Sequence, residues 1–168
     1  MLSPLFQGMN KAYLLTGGNM GNRSTNLALA QTEIGISCGI VVSASPLYET
    51  AAWGNNNQPS FLNQALEVAT SLTAKQLLRK LLQIEKKHGR IREEKYGPRI
   101  IDIDILLFNG SVYNEPELKV PHPELQNRRF ALLPLAAIAP DVLHPVLKKT
   151  IVQLLQECRD TLDVKVYS

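Results

Sequence analysis

The stretch GPRIIDIDILLF, residues 97–108, constrains this chain more than any other. Ile100, Ile101, Ile103, Ile105, Leu106, Leu107 and Phe108 favour burial, so the run reads as a buried strand. Asp102 and Asp104 interrupt it. Burying a carboxylate without compensation costs several kcal/mol or forces it to take up a proton. Residues i and i+2 of a strand share a face, so the two aspartates project together, with Cα atoms roughly 6.6 Å apart. Ile101, Ile103 and Ile105 then face the other way, into a core. Carboxylates so placed can converge on one or two magnesium ions, hard cations that take carboxylate, water and phosphate oxygens. The motif is short, and a solvated strand face carrying two unrelated aspartates satisfies it equally.

The flanking residues narrow the choice. Arg90, Arg92 and Arg99 surround the start of the strand, with Lys95 between them. Arginine grips phosphate with two parallel hydrogen bonds, so acids for a metal beside three arginines suit a metal-bound polyphosphate. An exposed basic loop pairing with Glu93 and Glu94 is the plainer reading. Gly89, Gly97 and Pro98 bracket the loop, which could then close as a lid. No GxxxxGK[ST] segment is present, so phosphates are not held by that device. In VPHPELQNRRF, residues 120–130, prolines on both sides stiffen the backbone around His122, whose imidazole could bond a phosphate oxygen. His88 and His144 read as structural or solvated.

A third group lies in residues 48–63. Trp53 sits in a loop rich in Gly, Asn and Pro, and Phe61 and Asn63 share one strand face by the same i, i+2 rule. An aromatic ring beside an amide suits a flat, hydrogen-bonding heterocycle, although packing and turn amides would produce the same pattern.

Helix signals cover 24–37, 74–88 with Thr73 as cap, about 129–138 and about 150–158; strand signals cover 11–22, 40–50 and 61–71. Asn109-Gly110 predicts a hairpin turn after the aspartate strand. The order is β-α-β-β-α-β followed by helices, the pattern of a ferredoxin-like α+β fold with helices packed on an antiparallel sheet. Residues 1–8 end in LFQG and read as the remnant of a cleavable tag, leaving 9–168 as one domain. Cys38 and Cys158 read as free thiols, which with no apolar run of membrane-spanning length points to the cytoplasm. A net charge of +3 is too small for a nucleic-acid binder but compatible with an anionic ligand.

Four segments together, LLTGGNMGN, LYETAAWG with QPSFLNQAL, IEKKHGRIREEKYGPRIIDIDILLF and VPHPELQNRRFALLPL, resemble the 6-hydroxymethyl-7,8-dihydropterin pyrophosphokinase family of folate biosynthesis. The resemblance runs from about residue 12 to 145. It implies transfer of pyrophosphate from ATP to the pterin hydroxymethyl group, with release of AMP. It implies that Asp102 and Asp104 hold magnesium, as two ions, and that Arg90, Arg92 and Arg99 act on the phosphates in catalysis. Glu85, Ile105, His122 and Arg128 join those arginines at the ATP site. Asn19, Thr50, Ala51, Trp53, Phe61, Asn63 and Phe130 fall at or near the pterin pocket. Gly18, Ala51 and Tyr96 stand where the family usually has serine, proline and tryptophan, and the loop from Arg92 to Gly97 is slightly short. The expected partners are ATP and the pterin, without nucleic acid or membrane, and the expected state is a monomer. Two rivals remain: a metal-dependent nuclease or nucleotidyl transferase, which would need a longer basic path, and a nucleotide-sensing module, which would not need the acid pair.

Overall fold

The computed structural model describes residues 6–52, 57–89 and 100–168. Its centre is an antiparallel sheet in the order β5-β1-β4-β3-β8, with β2 also on β4. These strands are β1 (Asn10–Gly18), β2 (Ile40–Ala44), β3 (Tyr48–Thr50), β4 (Phe61–Thr70), β5 (Asp102–Phe108) and β8 (Val164–Val166). Helices α1 (Arg23–Ser37) and α2 (Ala74–Lys87) cover one face, and α3 (Arg129–Ile138) and α4 (Ile151–Glu157) cover part of the other. The expected ferredoxin-like arrangement is thus present, with a second helical layer added after it.

Local chemistry fixes the helix starts. Asn22 accepts the Thr25 N–H at 3.2 Å, and Thr73 with Gln76, and Thr150 with Gln153, form reciprocal capping boxes. The leucine stripe of α2 lays Leu77, Leu81 and Ile84 into the core beneath β1, β4 and β5.

Two expectations need correction. The strand read over 40–50 is two strands, because Ser45 breaks the ladder: its Oγ accepts the Ala65 N–H at 2.9 Å and donates to the Pro46 carbonyl at 2.7 Å. The Asn109-Gly110 turn forms, with Asn109 at φ 51° and the Ser111 N–H on the Phe108 carbonyl, but no hairpin partner of β5 follows. Asn109 instead extends the pairing to β1: its Oδ1 accepts the Lys11 N–H at 2.8 Å, and its own N–H reaches the Lys11 carbonyl. The returning chain forms a separate ribbon of β6 (Tyr113–Asn114) and β7 (Lys119–Val120).

Cross-strand register splits β5 between two cores. Tyr13 pairs with Leu107 and Leu14 with Ile105, so Leu106 is an extra residue in a bulge. As a result Ile101, Ile103, Ile105 and Phe108 enter the core under α1 and α2. Leu106 and Leu107 both enter the core under α3 and α4. Cys38 and Cys158 are free thiols, and burial pushes the Cys38 thiol up to about 11.

Candidate active site

The site grows from one end of the sheet. Gly17 on β1 lies opposite Asp102 on one side and Asn63 on the other, and Leu15 lies likewise between Asp104 and Ala65. Residues opposite one another in antiparallel strands share a face. Leu15 and Ala65 belong to the core under α3 and α4, so Asp102, Asp104, Asn63 and Phe61 all point to that same side. Both aspartates are half-buried and alternate with buried Ile103 and Ile105. Between Asp102 and Asn63 the sheet carries no side chain, and a Cβ on Gly17 would collide with the Asn63 amide nitrogen.

Asn63 is 6% exposed. Its Nδ2 donates weakly to the Thr16 carbonyl at 3.5 Å, while its Oδ1 is buried with no hydrogen-bond partner among the described residues. A buried acceptor left this way is costly, and a ligand bearing N–H groups would satisfy it.

Glu85, expected at the nucleotide site, lies under β5. It is 2% exposed on α2, and its Oε2 accepts the backbone N–H of Ile103 at 2.8 Å, midway between the two aspartates. It grips the free edge of β5 from the opposite side. Ile105 sits in the core under α2 but also borders a groove of about 280 Å³ that includes Asp104, Leu118, Lys119 and His122.

The turn after β7 brings His122 to β5, through its N–H on the Leu106 carbonyl at 3.0 Å. Its Nδ1 accepts the Glu124 N–H at 3.1 Å, which leaves the ring proton of the neutral form on Nε2. Burial pushes the imidazole below its ordinary pKa and Arg128 adds to this, with Asp102 and Glu124 opposing. A neutral ring with an Nε2–H donor is therefore the form at neutral pH. Arg128 holds its guanidinium 5.7 Å from the Phe130 ring centre, joining the expected phosphate and pterin sides.

On the pterin side, the Asn19 amide donates to Gln58 Oε1 and the Pro59 carbonyl, both at 3.0 Å, so it latches the turn before β4. The Thr50 hydroxyl donates to the Asp163 carbonyl at 3.0 Å, and Ala51 is exposed beside it. Trp53, Arg90, Arg92 and Arg99, with Tyr96 and most of the expected lid, lie outside the described residues. Sequence reasoning missed Gly17, the anchoring role of Glu85 and the tail residues Asp160 and Asp163. That anchoring role had a signal, since a carboxylate four residues after Leu81 falls on the buried stripe of α2.

Among the described residues no cluster of three or more His, Cys, Asp or Glu could ligate a metal. The acid pair alone offers hard oxygen donors on one face. That suits magnesium, which keeps water and phosphate oxygens in most of its positions, and it does not suit a cation needing a full protein cage.

Comparison with known proteins identifies the family. Residues 13–140 match the family described as 7,8-dihydro-6-hydroxymethylpterin-pyrophosphokinase. The chain is 43% identical over 136 residues to a 2-amino-4-hydroxy-6-hydroxymethyldihydropteridine pyrophosphokinase of Methylorubrum extorquens, covering 80% of this chain and 86% of that one. It is 41% identical to the protein of the same name from Aquifex aeolicus, covering 89% and 92%. In fold it is similar to a crystal structure of Plasmodium falciparum HPPK-DHPS, with TM-score 0.72 and 17% identity, covering 93% of this chain and 47% of that one. The chain thus spans about half of that longer protein.

Proposed function

This chain belongs to the 7,8-dihydro-6-hydroxymethylpterin-pyrophosphokinase family, whose members transfer pyrophosphate from ATP to 6-hydroxymethyl-7,8-dihydropterin in folate synthesis, and we propose how its own residues carry out that transfer. The observation that carries the reading is the row Asp102–Gly17–Asn63. A carboxylate for a metal and an acceptor for a heterocycle share one face, with only a glycine between them.

In this reading Asn63 Oδ1 accepts an N–H of the pterin and Phe61 lies along its flat ring, while Phe130 and Trp53 bound the pocket. Arg128, Arg90, Arg92 and Arg99 neutralise the phosphates, and the His122 Nε2–H donates to a phosphate oxygen. Asp102 and Asp104 hold magnesium, which supplies charge neutralisation at the phosphate oxygens. Glu85 keeps β5 in place, so both carboxylates are fixed before substrate arrives, as catalysis by positioning requires. The pterin hydroxyl oxygen gives up its proton to water and forms the new O–P bond at the β-phosphorus, the bond from that phosphorus to the oxygen bridging it to the α-phosphorus breaks, and AMP leaves with that oxygen. No helix of the described residues is long and apolar enough to cross a membrane. The test is incubation with ATP, magnesium and the hydroxymethyl pterin, followed by identification of both products.

A further inference from the structure

The segment after α4 lies beyond the residues that match the family, yet it touches two walls of the site. Helix α3 starts at Arg129 with no cap from its own N-cap residue, Arg128. Asp160 supplies one from the tail: its Oδ2 accepts the Arg129 N–H at 3.0 Å, meeting a backbone donor that a helix start leaves without a partner. The other oxygen, Oδ1, accepts the Leu162 N–H at 3.0 Å, and the Asp160 carbonyl takes the Arg129 Nε–H at 3.3 Å. One carboxylate thus fixes both the start of α3 and the bend of the tail.

The tail then crosses to the other wall. Its strand β8 pairs with β3, and the Asp163 carbonyl accepts from the Thr50 hydroxyl. The Tyr167 N–H reaches the Leu47 carbonyl at 2.8 Å. Arg23 stands 5.4 Å from the Tyr167 ring centre and pairs with Glu49 of β3 at 2.6 Å. The strap therefore runs from Arg129, the residue between Arg128 and Phe130, to Thr50, and so joins elements whose side chains have to keep a fixed spacing around one ligand.

We propose that Asp160 is a positioning residue for the pterin side of the site, acting through the Arg129 backbone and through β8 to set the distance between the Phe130 and Thr50 walls. The inference rests on the reading of those walls given above. It is tested with Asp160→Ala and Asp160→Asn, with Thr150→Ala as the control. Thr150 caps α4 in the same part of the chain but touches neither wall, so losing it destabilises the region without releasing the strap.

KM for the pterin, KM for ATP, kcat and melting temperature are measured for each. Both Asp160 variants are expected to raise the pterin KM roughly tenfold with a smaller change in kcat. Thr150→Ala is expected to lower the melting temperature while leaving the pterin KM within about twofold. If Asp160→Ala does not fold, Asp160→Asn decides, because its amide oxygen still accepts one of the two backbone bonds. A wild-type pterin KM in the Asp160 variants, or an equal rise in Thr150→Ala, overturns the proposal. Should the wild-type protein release no AMP in the presence of the pterin, the reading of the site falls instead.

Discussion

The two faces of the sheet are built from the same strands to opposite ends. Under α1 and α2 the face is closed: Leu14, Leu62, Leu66, Ile101 and Ile103 meet Leu27, Ile34, Leu77 and Leu81, with the buried Glu85 at the edge of β5. Under α3 and α4 the core stops at Leu15 and Ala65, and the row beyond it holds Asp102, Gly17 and Asn63. A single strand, β5, serves both, with isoleucines toward the closed face and aspartates toward the open one. The difference shows how a fold can afford two half-buried carboxylates: the opposite face supplies the burial energy, and Glu85 on that side ties down the strand edge. Stability and chemistry are thereby divided between the faces, and substitutions on each should have separable effects.

The largest separation is expected at the ends of that division. Asp102→Ala or Asp104→Ala should lower activity by roughly a hundredfold or more, as loss of a metal ligand does, while melting temperature changes little, since neither side chain belongs to either core. Both variants retaining activity within a few-fold of wild type would break the comparison. Leu66→Ala on the closed face should do the reverse, costing about 2–5 kcal/mol in denaturant unfolding and leaving kcat per folded molecule nearly unchanged. Arg99→Lys keeps the charge but loses the two-pronged grip, and turnover should fall roughly tenfold, about 1.4 kcal/mol of barrier, with ATP affinity less affected. An equal loss in affinity with none in turnover would make Arg99 a binding residue only.

The smallest effect separates two histidines built alike. His144 uses its Nδ1 to accept the Val146 and Leu147 N–H groups at 3.2 and 3.0 Å, just as His122 accepts Glu124, but His144 is buried away from the acid pair. Burial lowers the His144 pKa below its ordinary 6.5, so the fold favours the neutral ring and the unfolded chain binds the proton more tightly. Its stabilising contribution is present above pH 6.5 and lost as pH falls through the lower folded-state value. Melting temperature should therefore drop on acidification. The drop should be shallower in His144→Asn, which keeps an acceptor but cannot titrate, while turnover at neutral pH stays unchanged. His122→Ala should also make that drop shallower, since burial lowers its pKa in the same direction, but it should lower turnover at neutral pH where His144→Asn does not.

Much of this division was legible in the sequence, because it depends on period. Alternation along 101–105 placed the isoleucines and aspartates on opposite faces, and the i, i+2 rule paired Phe61 with Asn63. What could not be read was register. Only strand pairing places Gly17 between Asp102 and Asn63, and only the bulge at Leu106 sends two consecutive leucines into the same core. The hairpin expected at Asn109 failed for a similar reason: its side-chain amide is spent on β1, a partner nearly a hundred positions away in sequence. Asp160 was invisible for the same cause, since a cap supplied across 31 residues leaves no local pattern.

The central claim is that the acid pair and the pterin acceptor form one site for a displacement at the β-phosphorus. The direct measurement is product analysis with magnesium, the hydroxymethyl pterin and ATP made chiral at the β-phosphorus by isotopic labelling. The account predicts AMP and pterin diphosphate in equal amounts, no ADP above background, and inversion at the transferred β-phosphorus, because a single in-line displacement needs no covalent enzyme intermediate. ADP as the main nucleotide product, or retention of configuration at that phosphorus, would contradict it.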